Sequence, residues 1–306
     1  MRQSQYHVVV PRSLRILGIV ATIAMFLVVV MGALVTNTGS AMGCGRDWPL
    51  CNGRWVPSYV VETLIEYGHR VVAGPAGLLV AAYAVWAWLV AGRYREVRWT
   101  AAIGAGFVLV QALLGAAAVL WPQTPPILAL HFGFSLLALA GVFLLTRILG
   151  QLSGDGAGMA LRRRSVGGRL QGLAWSALIY VYADVYLGAF VRHSGSALAC
   201  AGFPTCNGSW LPQFVGAAGI QWSHRLAALG AVLLFAWLGL EAWRQRAGRP
   251  DLWRGALWAG GALLGQAATG VYTVLSGLAL ASTLLHAALA AVLFSASSYL
   301  CLAVSR

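Results

Sequence analysis

Residues 16–36 read ILGIVATIAMFLVVVMGALVT, with no charged side chain from one end to the other. A run of about 20 apolar residues, wound as a helix, matches the roughly 30 Å hydrocarbon core of a bilayer. This one is apolar on every face, which predicts a membrane helix and not an amphipathic helix laid on a soluble core. It is too long for the apolar region of a secretory signal, and seven comparable runs follow it without a convincing cleavage site, so it is read as a retained first helix.

The rest of the chain agrees. Of 306 residues, 59% are hydrophobic and 9% charged, with a mean hydropathy of +0.75; soluble domains carry about 25% charged residues. Spans are expected near 16–36, 66–90, 99–120, 127–149, 170–191, 220–243, 254–275 and 278–302. Lipid offers no partners for open backbone groups, so runs this apolar should all be helices. Thirteen tryptophans and ten tyrosines suit two bilayer interfaces.

A formal charge of +13, carried by arginine with no lysine, would raise nucleic acid as a partner if the arginines gathered on one folded face. They fall instead between apolar runs, as Arg12/Arg15, Arg93/Arg95/Arg98, Arg162/Arg163/Arg164/Arg169 and Arg244/Arg246/Arg249/Arg254. That is the positive-inside pattern, and it excludes a nucleic-acid role. It predicts cytoplasmic N- and C-termini and a cell-membrane location, with long outer loops near 37–65 and 192–219 and short ones near 121–126 and 276–278.

The last residues of the opening stretch recur. GALV at 32–35 returns as GAFV at 188–191, and GSA at 39–41 as GSA at 195–197. WPLCNGRW at 48–55 returns as FPTCNGSW at 203–210. His69-Arg70 matches His224-Arg225, Gln111-Ala112 matches Gln266-Ala267, and His131 matches His286. Four helices per copy is an even number, so both copies enter the membrane the same way. The expected architecture is an all-α integral membrane protein: two tandem four-helix bundles, 1–150 and 151–306, related by a parallel pseudo-two-fold axis.

Four of six histidines obey the repeat. His69/His131 and His224/His286 are each 62 residues apart, about one turn inside helices two, four, six and eight, at one depth near the outer surface. Two imidazoles facing each other inside an apolar bundle suit axial ligation of haem iron. No C-x-x-C-H is present, which argues against covalent attachment. The bland alternative is that each histidine hydrogen-bonds a neighbouring helix; four at repeated positions favour ligation. The only metal expected is iron within haem. His7 and His193 are given no ligand role.

Arg70 and Arg225 follow a candidate ligand directly. Each could pair with a haem propionate or snorkel to the headgroups. Cys200–Cys206 is read as a loop-closing disulfide on the oxidising side of the membrane. For Cys44–Cys51 a disulfide and a redox or substrate-handling role both stay open, and Cys301 is expected to pack as a small hydrophobe.

The halves differ at one telling place. EYGHR at 66–70 aligns with QWSHR at 221–225, so only the first half has a carboxylate, Glu66, on the helix face of its histidine. An acid can take protons in catalysis where glutamine cannot; it can also merely stabilise the first helical turn. Asp184 is a second acid inside an apolar helix, opposite Val28 in the repeat. It needs a partner or a proton, either on a proton path or from nearby Tyr180, Tyr182 or Tyr186.

Over essentially its whole length the chain resembles the bacterial haem A synthase family. The resemblance is carried by GALVT at 32–36, GCGRDWPLC at 43–51, Glu66 with His69-Arg70, LHFG at 130–133, residues 188–193, and WSHR at 222–225. It implies an oxidoreductase of haem A biosynthesis and cytochrome oxidase assembly, oxidising a methyl group of haem O to a formyl group. It also implies haem b as cofactor on His224 and His286, substrate haem on His69 and His131, and Glu66 as the catalytic carboxylate. Membrane lipid, a haem O synthase and a second copy of the chain are the candidate partners. The rivals are a di-haem cytochrome b carrying electrons, and a haem transporter built on parallel repeats.

Overall fold

The structure is a computed structural model that describes residues 8–121, 124–153 and 166–306. His7 and the Arg162–Arg164 part of one basic cluster lie outside the described residues. Eight long helices run in order: α1 (Arg12–Asn37), α2 (Val61–Ala91), α3 (Arg95–Leu120), α4 (Pro125–Leu152), α5 (Gly168–His193), α6 (Gly216–Arg244), α7 (Pro250–Leu275) and α8 (Leu280–Val304). Proline opens α4 and α7, where its missing N–H removes no helical bond.

Each expected span is a helix, but several begin earlier than hydropathy places them. The weakly apolar first turns Val61–Ile65 of α2 and Gly216–Gly219 of α6 are already helical. The four repeated histidines therefore lie about two turns from the loop end of their helices, not one. Seven of the eight helices are long and apolar enough to cross a membrane, and the protein is membrane-integral and multi-pass. The exception is α7, in which Gly260, Gly261, Gly265, Gln266 and Gly270 dilute the leucines. Eight spans were expected; on length and composition alone α7 does not qualify.

Neighbouring helices close into two rings, α1–α2–α3–α4 and α5–α6–α7–α8, joined through α1 with α8, α4 with α5, and α4 with α8. The common core holds Leu14, Leu136, Leu145, Ile148, Leu149, Leu170, Leu293 and Leu300, all essentially inaccessible. The outer surface exposes Leu109, Leu113, Ile179, Leu229, Leu233 and Trp258, an apolar belt that suits lipid and not water. Lipid supplies no hydrophobic drive between helices, so close backbone approach matters. At the α3–α4 crossing, a Cβ on Gly141 would sit 2.7 Å from the Cα of Gly104.

At the opposite end from the long loops, Arg306 at the C-terminus pairs with Glu96 of α3 and with Gln151 of α4. Across the two rings at the loop end, Arg192 Nε donates to Asn37 Oδ1 at 2.9 Å and its NH2 to the Thr36 carbonyl at 3.2 Å.

Candidate functional site: two histidine pairs beneath strapped loops

The site begins with the two long loops, and the CNG triplet in each explains their shape. Asn52 and Gly53 both have positive φ, 51° and 74°, as do Asn207 and Gly208, 53° and 82°. An Asn-Gly pair is the residue choice for the tightest hairpin turn. The turns are closed by Cys51 N–H to the Arg54 carbonyl at 3.0 Å and Cys206 N–H to the Ser209 carbonyl at 2.9 Å. Each hairpin is then bonded to the start of its loop through Cys44–Cys51 and Cys200–Cys206. All four sulfurs belong to fully buried residues.

Each loop is strapped to the helix that follows it. In the first, Cys44 N–H donates to Glu66 Oε2 at 2.8 Å, and Thr63 Oγ1 donates to the Gly43 carbonyl at 2.8 Å. Gly43 lies so near α2 that a Cβ there would meet Thr63 N at 2.7 Å. Arg70 donates to the carbonyls of Asp47 (2.8 Å) and Leu50 (3.0 Å) and forms an ion pair with Glu66. In the second, Cys200 N–H donates to Gln221 Oε1 at 2.5 Å, and Gln221 Nε2 donates to the Ala197 carbonyl at 2.7 Å. Arg225 donates to the carbonyls of Thr205, Cys200 and Gly202 at 2.9–3.0 Å.

Glu66 and Gln221 therefore share one mechanical task, receiving the N–H of the first loop cysteine. They differ in charge: only Glu66 binds its arginine. Both are almost wholly buried. The two arginines hold loops in place, a role that neither the propionate nor the headgroup reading anticipated.

Below the straps, His131 lies within electrostatic range of His69, and His286 within range of His224. A glycine on the neighbouring helix backs each ring. An added Cβ would stand 3.5 Å from His69 Cε1 at Gly32, 3.8 Å from His131 Cε1 at Gly115, 2.9 Å from His224 Cε1 at Gly188, and 3.1 Å from His286 Cε1 at Gly270. Gly32 and Gly188 stand in the repeated GA-V runs, and Gly115 and Gly270 each lie four residues after the matched Gln111 and Gln266, a correspondence the sequence reading left unused. Among the described residues no cluster of three or more His, Cys, Asp or Glu gathers as a metal site; each site offers two imidazoles.

The imidazoles of the two pairs are held differently. His224 Nδ1 lies 2.8 Å from Asp184 Oδ1, and His286 Nδ1 lies 3.1 Å from Thr269 Oγ1. His286 Nε2 faces the amide nitrogen of Gln266 at 3.1 Å. In the first pair, the buried Nδ1 atoms of His69 and His131 have no hydrogen-bond partner. Gln111, the counterpart of Gln266, instead donates to the His131 carbonyl at 2.5 Å.

Asp184 thus has a definite partner, a histidine on the next helix and none of the tyrosines near it in sequence. Tyr186 OH turns to the Pro126 carbonyl at 3.4 Å, and the buried Tyr182 OH has no partner. The glutamines were visible in the repeat, but nothing there marked their contact with the histidines. His193 lies within electrostatic range of His131, across the two rings. Cys301 is buried, its thiol donating to the Ala174 carbonyl at 3.2 Å.

Known proteins resemble this chain over nearly its whole length. The family model described as cytochrome oxidase assembly protein matches residues 15–298. The heme A synthase of Bacillus licheniformis is 41% identical over 300 residues, covering 96% of this chain and 97% of its own. That of Geobacillus kaustophilus is 40% identical over 296 residues, covering 96% and 92%, and that of Symbiobacterium thermophilum 41% identical over 295 residues, covering 95% of each. A family match over nearly all eight helices, with relatives of this identity end to end, establishes that the chain belongs to the cytochrome oxidase assembly protein family.

Proposed function

We propose that the chain is a haem A synthase, oxidising a methyl group of haem O to a formyl group to give haem A for terminal oxidases. The observation that carries this reading is the two histidine pairs, each within electrostatic range and each ring lodged against a glycine of the neighbouring helix, in a chain with end-to-end heme A synthase relatives. A glycine behind an imidazole leaves room where a side chain would stand.

In this reading His224 and His286 hold haem b, which when bound supplies electron transfer. His69 and His131 hold the substrate haem. Thr269 gives its hydroxyl proton to the carbonyls of Gly265 and Gln266 and is left to accept from His286 Nδ1–H, so a ligand at Nε2 would take the place of the Gln266 amide that faces it. Glu66 accepts protons as the methyl group is hydroxylated in succession. Its pairing with Arg70 and with the Cys44 N–H fixes it near the loop end of α2. Arg70 and Arg225 hold the loops over the two sites, from which they can also meet propionates.

The halves 1–150 and 151–306 are taken as tandem copies, with α7 crossing the membrane like its counterpart α3. Supporting this are the matched neighbours within each ring and the same turn, disulfide and strap in both loops. The positive-inside distribution puts both termini in the cytoplasm and both sites toward the outer side. A haem O synthase is the partner that would supply substrate.

The test is to express the chain with a haem O-producing partner and identify the extracted haems by chromatography and mass. Haem A is expected only when this chain is present. Haem O left untouched, beside two equivalents of bound haem b, would replace the synthase reading with that of a di-haem cytochrome.

A further inference from the structure

An ionisable side chain inside a membrane helix is expensive and needs a partner. Asp184 sits in α5 one turn before Gly188, and 40 residues separate it from the histidine it meets on α6. A carboxylate accepts hydrogen bonds and does not donate, so the bond at 2.8 Å assigns the proton to His224 Nδ1 and leaves Nε2 with the lone pair. The ring's Cε1 and Nε2 edge lies against Gly188, where a Cβ would stand 2.9 Å and 3.1 Å away. Thr269 imposes the same tautomer on His286 by accepting at Nδ1.

The first pair lacks this support. The residue one turn before Gly32, and hence in the place of Asp184, is Val28, and the Nδ1 atoms of His69 and His131 are buried without partners. Arg225, next in sequence to His224, is engaged with loop carbonyls.

We propose that Asp184 is a positioning residue for the haem held by His224 and His286: it fixes the ring of His224 and lowers the reduction potential of that iron relative to the iron at His69 and His131. A carboxylate on the far nitrogen orients a ligating imidazole and makes it more basic. A more electron-rich ligand favours ferric over ferrous iron, and hydrogen bonding around the ligands is one of the protein's levers on haem potential. The inference rests on the haem reading above and adds to it an order of potentials between the two sites.

The experiment uses the purified full chain loaded with haem b, titrated spectroscopically against redox mediators. D184N keeps the shape of the side chain and an acceptor oxygen but removes the charge. Its expected effect is a rise in the midpoint potential of the haem component that H224A loses, with haem content retained. An unchanged potential in D184N at full haem content overturns the proposal. If D184N does not accumulate, V28D decides, because it offers a carboxylate to the unpartnered His69. With haem O at the first site the midpoint there should fall, and the absence of a shift overturns the proposal. Failure of the underlying reading looks different: H224A would then leave haem content and spectrum intact.

Discussion

The two histidine pairs share spacing and a glycine behind each ring, yet they are held in opposite ways. Every Nδ1 of the second pair has an acceptor, Asp184 or Thr269; neither Nδ1 of the first pair has one. Above them the order reverses. The strap over the first pair is an ion pair, Glu66 with Arg70, while over the second Arg225 binds loop carbonyls and the neutral Gln221 stands in place of the acid. A ring locked on its far nitrogen suits a ligand that stays, and an unlocked ring beside a carboxylate suits one that arrives, reacts and leaves. In the proposed reading, the difference lets two similar helix rings serve two tasks through a handful of side chains.

Breaking the pairs one at a time tests this most severely. H224A should lose the resident haem, and with it haem A formation. H69A should keep that haem and lose only the conversion of haem O. Haem quantified by pyridine haemochrome in the two purified variants separates them; loss of the same haem from both would collapse the distinction.

The second prediction concerns the acid alone. E66Q should abolish haem A formation while leaving haem content and thermal stability near wild type, because Gln221 already makes the equivalent bond to a cysteine N–H. The reciprocal Q221E should change output little. Undiminished haem A from E66Q would remove Glu66 from the chemistry and leave it a strap.

Glycine substitution sharpens the comparison further. G188A places a methyl 2.9 Å from His224 Cε1, tighter than contact permits, whereas G32A places one at an ordinary 3.5 Å from His69. Overpacking of this kind costs about 1–3 kcal/mol, which is roughly tenfold to a hundredfold in affinity. Haem titration of each variant should show the resident site weakened by G188A and the substrate site nearly unaffected by G32A.

The smallest effect on haem A output is expected at the disulfides. C200S/C206S and C44S/C51S should each lower stability by about 2–4 kcal/mol, seen as a lower unfolding temperature in detergent. Only the second should also reduce haem A output, since it frees the Cys44 backbone that holds Glu66. Equal losses of output would mean that both loops matter only as covers.

Much of the fold was legible because membrane helices are decided locally. A run such as 16–36 must satisfy its own backbone wherever its neighbours lie. The early starts of α2 and α6 were missed because their first turns, Val61–Ile65 and Gly216–Gly219, are weakly apolar or polar and are stabilised by the loops that strap onto them. The equal spacing of the four histidines was legible in the sequence, since His69/His131 and His224/His286 are each 62 residues apart.

By itself, then, the sequence determined the helices, the paired loop cysteines, the spacing of the four histidines and the acid that distinguishes the halves. Each of these depends on residues near in the chain or related by the repeat. Tertiary structure alone decided that Asp184 serves His224, that Thr269 and Gln266 serve His286, and that Arg70 and Arg225 are spent on loop carbonyls. Those choices depend on the height and rotation of one helix against another, which no local pattern encodes. Near a membrane interface an arginine has propionate, headgroup and carbonyl all within reach of its long side chain, and only the packed loops show which it takes.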